Sequence, residues 1–313
     1  MTLTDLRYLV NLDKERHFGR AADRSFVSQP TLSVAIKKLE EQLGLSLFER
    51  APGEVRPTPI GERIVAQARH VLAEVKLIED LAREGKDELA GPLRFGAIYT
   101  VAPYLLPYVV PRLRAAHPRM PLVIEENFTA RLLEQLRDNE IDVICVALPI
   151  DQPGLSAWPV YQEDFSVLVP ADHRWAQQAD ISARLLSEEP LLLLGPGHCF
   201  RDQVIDACPK CVDPDGSGPR PQTGSSLETI RHMVAGGLGV TVLPNSSLEN
   251  RPLEDTPLVV SRPFSGKAPA RTIVLVWRRT YPRLKAIKAL REAILGSPIR
   301  GVNLMPDSEI QEF

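Results

Sequence analysis

Cys199 has the surroundings in this sequence best suited to chemistry. It follows the turn-forming GPGH and precedes FRDQVIDA, a helix-compatible run, so its sulfur is expected near the free amide hydrogens that open a helix. Such a place lowers a thiol's pKa, and the neighbouring His198 and Arg201 are candidates to stabilise the thiolate further. A thiolate there is a nucleophile, and attack on a peroxide oxygen turns it into a sulfenic acid. Cys208 stands nine positions later. On one helix the two Cα atoms lie about 13 Å apart, whereas a disulfide needs them within about 7 Å, so linking them requires the segment to unwind. Val204 and Cys208 lie four apart on one helix face, which predicts that Cys208 is buried in the reduced form. Of the four cysteines, Cys145 sits in the apolar IDVICVAL and reads as a buried strand residue without a redox role. Cys211 forms a C-P-K-C pair with Cys208, and two readings stay open. It competes for a sulfenic acid, or it joins His198, Cys199 and Cys208 in a zinc site whose spacing is unlike that of zinc fingers. No metal is otherwise implied, and no cofactor is expected.

A second group suits nucleic acid. Ser28 caps a helix whose Leu32, Ile36, Leu39 and Leu43 recur at helical spacing, so its first residues are the polar Ser28, Gln29, Thr31 and Ser33. A helix that enters the major groove meets base edges with such residues. Gln29 is long enough for paired hydrogen bonds to adenine, and Thr31 offers a methyl to thymine or a hydroxyl to phosphate. Pro30 falls in the first turn, where a missing amide hydrogen costs little. Lys37, Lys38, Arg50 and Arg56 are candidates to neutralise phosphates, and each is equally well explained as part of a solvated charged face.

The elements that position these groups are legible. Thr2 and Asp5 have capping-box spacing before a first helix, and a break at His17–Gly19 separates it from GRAADR. The proline- and glycine-containing ERAPGEVRPTP suits a two-stranded wing. Pro59 opens a long helix expected to run to Gly85, on which Ile60, Ile64, Ala68, Val71, Val75, Ile78 and Ala82 make a coiled-coil seam. From Pro92 the runs LRFGAI, YLLPYVVPRLRAA, MPLVIEE, RLLEQLRDN and IDVICVAL alternate strand with helix, predicting βαβ units around a mostly parallel sheet. FSVLVP, LLLLG, GVTVLP and TIVLVW predict a second sheet or subdomain, with a ligand cleft between two lobes.

Composition narrows the function classes. The chain is 44% hydrophobic and 25% charged, as folded water-soluble proteins are, and no apolar run or basic leader marks a membrane span or export signal. A cytoplasmic protein with reduced thiols is expected, in which any disulfide is regulatory. The net charge of −3 repels nucleic acid on average, so DNA binding must rest on local geometry.

Residues 16–50, RHFGRAADRSFVSQPTLSVAIKKLEEQLGLSLFER, resemble the winged helix-turn-helix of LysR-type transcriptional regulators in the AA pair, SQPTLS, IKKLE and LGLSLFER. The segment GPGHCFRDQVIDAC, with IYTVAPYLLP around Thr100 and ENFT ending at Thr129, is similar to the peroxide-sensing OxyR group of that family. The resemblance implies an α+β multi-domain chain: a winged helix-turn-helix at 1–58 and a linker and dimerisation helix at 59–88. A two-lobed, periplasmic-binding-protein-like α/β regulatory domain follows at 92–300, with lobe I at 92–162 and 268–300 and lobe II at 163–267. Residues 301–313 are expected to be a disordered tail. The resemblance further implies that Cys199 reacts with hydrogen peroxide, that Cys208 resolves the sulfenic acid as a disulfide, and that Thr100, Thr129, His198, Arg201, Asp202 and Arg271 surround the peroxide. Its partners would be promoter DNA at antioxidant genes, further copies of the chain as dimer and tetramer, RNA polymerase and a cytosolic thiol reductant, with no membrane. It would not be an enzyme. Two other readings are a LysR-type regulator with an organic effector in the inter-lobe cleft, and a thiol peroxidase.

Overall fold

The computed structural model describes residues 1–51, 54–84, 87–208, 222–249 and 258–313. The chain divides into two compact units, Met1–Lys86 and Asp87–Phe313.

In the first unit, helix α1 (Leu3–Glu15) starts at the capping box of Thr2 and Asp5, each bonding the other's backbone N–H. Helix α2 (Phe18–Arg24) follows at once, because His17 Nδ1 accepts from the Gly19 amide at 3.0 Å and caps it, so Phe18 and Gly19 belong to its first turn. Helix α3 (Gln29–Leu43) is capped by Ser28. Strands β1 (Phe48–Ala51) and β2 (Glu54–Pro57) pair antiparallel as the wing. Helix α4 (Pro59–Glu84) begins hard against the loop before β1. A Cβ on Gly61 would stand 2.0 Å from the Leu47 carbonyl oxygen, so only glycine fits there.

Leu6, Leu9 and Leu12 of α1, Leu32, Ile36 and Leu39 of α3, and Val65 and Ala68 of α4 share one core. Arg69 of α4 donates to the buried Asp13 of α1 at 2.6 Å. The seam expected along α4 is therefore divided. Ala68 is buried in its own unit and Ile64 packs against that core, whereas Val71 and Ile78 are exposed and the Ala82 side chain lies outside the described ones. Among the described side chains of the helix, Val71 and Ile78 in its later part are the large apolar ones left exposed to offer a second chain.

The second unit has two cores joined by one strand. Strands β3 (Leu93–Ile98), β4 (Leu122–Asn127) and β5 (Val143–Ala147) are parallel, with α5 (Ala102–Ala116) and α6 (Thr129–Arg137) as crossovers. The long β6 (Leu155–Pro170) then pairs with β11 (Ala270–Arg278) through its first half and with β9 (Val240–Pro244) and β10 (Val259–Pro263) through its second. Strand β7 (Leu191–Leu194) runs parallel to β8 (Gln222–Gly224) and β9, with α7 (Cys199–Ala207) following β7, α8 (Leu227–Ala235) following β8 and the short α9 (Asn245–Glu249) following β9. The expected second sheet is thus continuous with the first through β6. One core gathers residues before Tyr161 and after Ile273, including α10 (Leu284–Leu295), while the other gathers mainly Phe165 to Phe264.

The tail does not behave as expected. Strands β12 (Asn303–Leu304) and β13 (Gln311–Glu312) pair with β6, and Arg291 donates to the Met305 and Pro306 carbonyls at 2.8 Å. Trp158 Nε1 donates to the Ser308 carbonyl at 2.8 Å. The order comes from partners far away in sequence, which the polar local composition does not reveal.

Candidate functional site

In the first unit, Ser28, Gln29, Pro30, Thr31 and Lys37 are exposed on or beside the start of α3, and Ser33 is half-buried. The Ser28 hydroxyl sits 2.8 Å from Thr31 Oγ1 and accepts from the Thr31 amide at 3.4 Å, so it already works as a cap. Lys37 lies 3.8 Å from Glu41 one turn on, both exposed, which leaves it free to exchange that weak pair for a phosphate. Arg56 is exposed on β2, and Arg50 lies on β1 with its side chain outside the described ones. Sequence reading passed over Phe26, which is 96% exposed and takes a positive φ of 55° in the turn before α3.

In the second unit, three chain segments meet around one small cavity. Ile98, Tyr99 and Thr100 come from the end of β3, Asn127, Phe128 and Thr129 from the end of β4, and Gly197, His198 and Cys199 from the loop after β7. Each segment leads into a helix, and α5, α6 and α7 all start there with no side-chain cap. By contrast, the N-termini of α1, α3 and α8 are capped by Thr2, Ser28 and Ser226. Three uncapped helix N-termini beside one cavity favour negative charge in it. The cavity holds about 10 Å³, room for a water-sized molecule. Gly197 shapes its wall, since its φ of +94° suits glycine and a Cβ there would press the Phe128 ring at 3.3 Å.

Thr100 is positioned from below. Arg271 on β11 is buried, donating from Nη1 to Thr100 Oγ1 at 2.8 Å and from Nη2 to the Thr100 carbonyl at 3.0 Å. Its Nε donates to Glu163 Oε1 at 2.8 Å, and both side chains of that ion pair are inaccessible to solvent. Burial opposes the charge on Arg271, but Glu163 and, more weakly, Tyr161 and Cys199 outweigh it and hold its pKa above the ordinary arginine value. With its oxygen accepting from Arg271, the Thr100 hydroxyl keeps its own hydrogen for the cavity. Thr129 Oγ1 is buried and has no hydrogen-bond partner among the described residues. A bare hydroxyl buried in a cavity wall is costly unless a guest supplies the bond.

The expected site residues are therefore sorted. Cys199, Thr100, Thr129 and His198 line the cavity, and Arg271 acts one layer behind it. Arg201 turns away, donating to the Leu194 carbonyl at 2.9 Å, and Asp202 is exposed on the first turn of α7; neither lines the cavity. Burial lowers the His198 pKa, so near neutrality this ring supplies no positive charge to the sulfur. Cys145 is fully buried, and its thiol is pushed up to about 12, which removes it from thiolate chemistry.

Cys199 is free and half-buried at the first position of α7, packed against the first core, whereas Cys208 is buried in the second core just past the last turn. Cys208 is disulfide-bonded here, to neither Cys145 nor Cys199, both of which are free. Cys211 lies outside the described residues. No group of three or more potential metal ligands occurs among the described residues.

Residues 3–62 match the bacterial regulatory helix-turn-helix of the lysR family, and residues 86–297 match the LysR substrate binding domain. The chain belongs to the LysR family. Within that family it is 40% identical over 294 residues to the DNA-binding transcriptional dual regulator OxyR of Escherichia coli K12, covering 94% of this chain and 95% of the relative. It resembles the solved full-length OxyR of Pseudomonas aeruginosa, in an aspartate-for-cysteine form, with 49% identity and a TM-score of 0.76 over 97% of this chain and 98% of the other. A serine-for-cysteine mutant of Corynebacterium glutamicum OxyR, described as H2O2-bound, matches with 34% identity and a TM-score of 0.62, over 94% of this chain and 91% of the other.

Glu163, Tyr99 and Phe128 escaped the reading of this LysR-family sequence. Glu163 stands between Gln162 and Asp164 in the polar middle of its strand, so only its burial in the fold marks it as needing a partner. The two rings carry no sequence signal either, because nothing local distinguishes a cavity aromatic from a core one.

Proposed function

We propose that the chain is a DNA-binding transcription regulator that senses hydrogen peroxide at Cys199. The observation that supports this most is the water-sized cavity in which a free cysteine, an unpartnered buried threonine hydroxyl and a second threonine held by a buried arginine face one another. A small guest that both donates and accepts hydrogen bonds suits these walls, which favours hydrogen peroxide over an organic effector at this point of the cleft.

In the first step the Cys199 thiolate attacks one peroxide oxygen, the O–O bond breaks, and the departing hydroxide takes a proton to leave as water. The three helix N-termini and the Thr100 hydroxyl stabilise the charge that develops on the departing oxygen. The Cys199 sulfenic acid is then attacked by a Cys208 thiol, forming the S–S bond and releasing a second water. Cys208 must therefore first be freed from the disulfide it makes here, by exchange with a thiol reductant, which is itself oxidised. Since α7 holds the two sulfurs at its opposite ends, closing that bond unwinds α7.

The change is relayed as altered promoter binding that activates antioxidant genes. It acts through a dimer that uses the exposed later part of α4 and assembles further into a tetramer, with RNA polymerase as a contact partner. A thiol reductant resets the switch. No helix among the described residues is long and apolar enough to cross a membrane. The location in this reading is the cytoplasm, where a DNA-binding regulator meets its promoters. Its role is regulatory rather than enzymatic.

The test is a footprint of the full-length protein on a DNA fragment selected for binding to it, before and after peroxide. The wild-type footprint is expected to change and that of Cys199→Ser to stay fixed. A changing footprint in the serine variant would refute the assignment.

A further inference from the structure

Three rings stand over the Cys199 cavity. Tyr99 and Phe128 lie with ring centroids 5.3 Å apart at 74°, Phe128 and His198 4.8 Å apart at 68°, and Tyr99 and His198 5.9 Å apart at 62°. Every pair is in edge contact, so the three make a closed triangle. Two rings come from the strand ends of the first lobe and the third from the loop before α7. All three residues line the same cavity as Cys199.

Their exposure shows which side of the cavity they occupy. Tyr99 and Phe128 are 38% and 36% exposed, whereas Thr100 is 3% exposed and the Thr129 hydroxyl is buried. The hydroxyls are at the inner end and the rings at the outer one. Phe128 is also seated from beneath, because its ring carbons lie 3.3 Å from where a Cβ on Gly197 would stand. The ring has little slack on that side. The two partly solvated rings touch each other and so make one small apolar patch at the mouth of a polar cavity.

We infer that Tyr99, Phe128 and His198 form a size filter that admits hydrogen peroxide to Cys199 and turns away organic hydroperoxides. The inference rests on the proposed peroxide sensing and adds the exclusion of a substrate class. The excluded reaction is chemically equivalent: the thiolate takes the terminal oxygen, the O–O bond breaks, and the alkoxide leaves and is protonated to an alcohol. What separates the two peroxides is the alkyl group, which must displace a ring to bring the O–O bond to the sulfur. With about 10 Å³ beside the sulfur, the alkyl group falls among the rings at the outer end.

The test uses the full-length reduced protein and measures second-order rates of Cys199 oxidation by hydrogen peroxide and by cumene hydroperoxide, with sulfenic acid trapped and located by mass spectrometry. The wild type is expected to prefer hydrogen peroxide strongly, and Phe128→Ala and Tyr99→Ala to lower the ratio of the two rates by roughly tenfold or more. Phe128→Leu and Tyr99→Leu, which keep apolar bulk, serve if either alanine variant fails to fold. A ratio left unchanged in the folded variants of both positions overturns the filter. A wild-type protein no faster toward hydrogen peroxide than free cysteine overturns the sensing function instead, so the two failures are distinguishable.

Discussion

Thr129 presents a hydroxyl that is buried with no hydrogen-bond partner among the described residues, an arrangement that costs a folded protein about 1–3 kcal/mol. Replacing it by the isosteric valine removes that cost together with the donor. Thr129→Val is therefore expected to melt at the same temperature or higher while Cys199 is oxidised roughly tenfold more slowly or worse. A variant that melts lower and reacts at the wild-type rate would show the hydroxyl to be structural. Glu163 makes the opposite case. Glu163→Gln leaves the inaccessible Arg271 without its counter-charge and is expected to lose roughly 3 kcal/mol in urea unfolding. In conditions where that variant stays folded, Thr100 loses its anchor and peroxide oxidation slows; a wild-type rate there would remove Arg271 from the mechanism. In YQEDFSVLVP nothing separates Glu163 from its polar neighbours Gln162 and Asp164, and its partner is 108 positions away, so only the cross-strand register brings the two together.

At the scale of elements, α3 shows how local signals succeed. The Ser28 cap, Pro30 in the first turn and the apolar period from Leu32 to Leu39 all describe the same helix, and they depend only on neighbours within a few residues. Structure separates two roles that the sequence had merged. Ser28→Ala removes a cap and is expected to cost the first unit about 1 kcal/mol, seen as a lower melting transition. Gln29→Ala touches no cap and is expected to leave melting unchanged while weakening DNA sites with an adenine at its position by about 1–3 kcal/mol, measured by titration. Equal melting losses in both variants would contradict this division. Helix α5 was legible despite Pro107 and Pro111, because its apolar residues pack into the lobe and offset the missing hydrogen bonds. Strand β6 was only half legible. FSVLVP has the apolar run of a strand, but LSAWPVYQED, with Pro159 inside it, becomes a strand only because β11 pairs beside it, with a register shift opposite the proline.

At the scale of the whole molecule, the two sulfurs belong to different cores and are held apart by an intact α7. If Cys199 and Cys208 join, the amides of residues 200–207 must lose protection. Hydrogen exchange of peroxide-treated protein is expected to show that loss, confined largely to this segment, and full protection in protein whose Cys199–Cys208 link is verified by mass spectrometry would sink the unwinding step. What the sequence alone determined is everything that depends on near neighbours: caps, helical periods, the polar face of α3 and a cysteine set where a helix begins. The tertiary structure decided the rest. It brought three strand ends together into one cavity, left a threonine hydroxyl bare inside it, paired Arg271 with Glu163 and pinned the tail to β6. Desolvation and long-range pairing set those outcomes, and both depend on groups that are distant along the chain and adjacent only once it has folded.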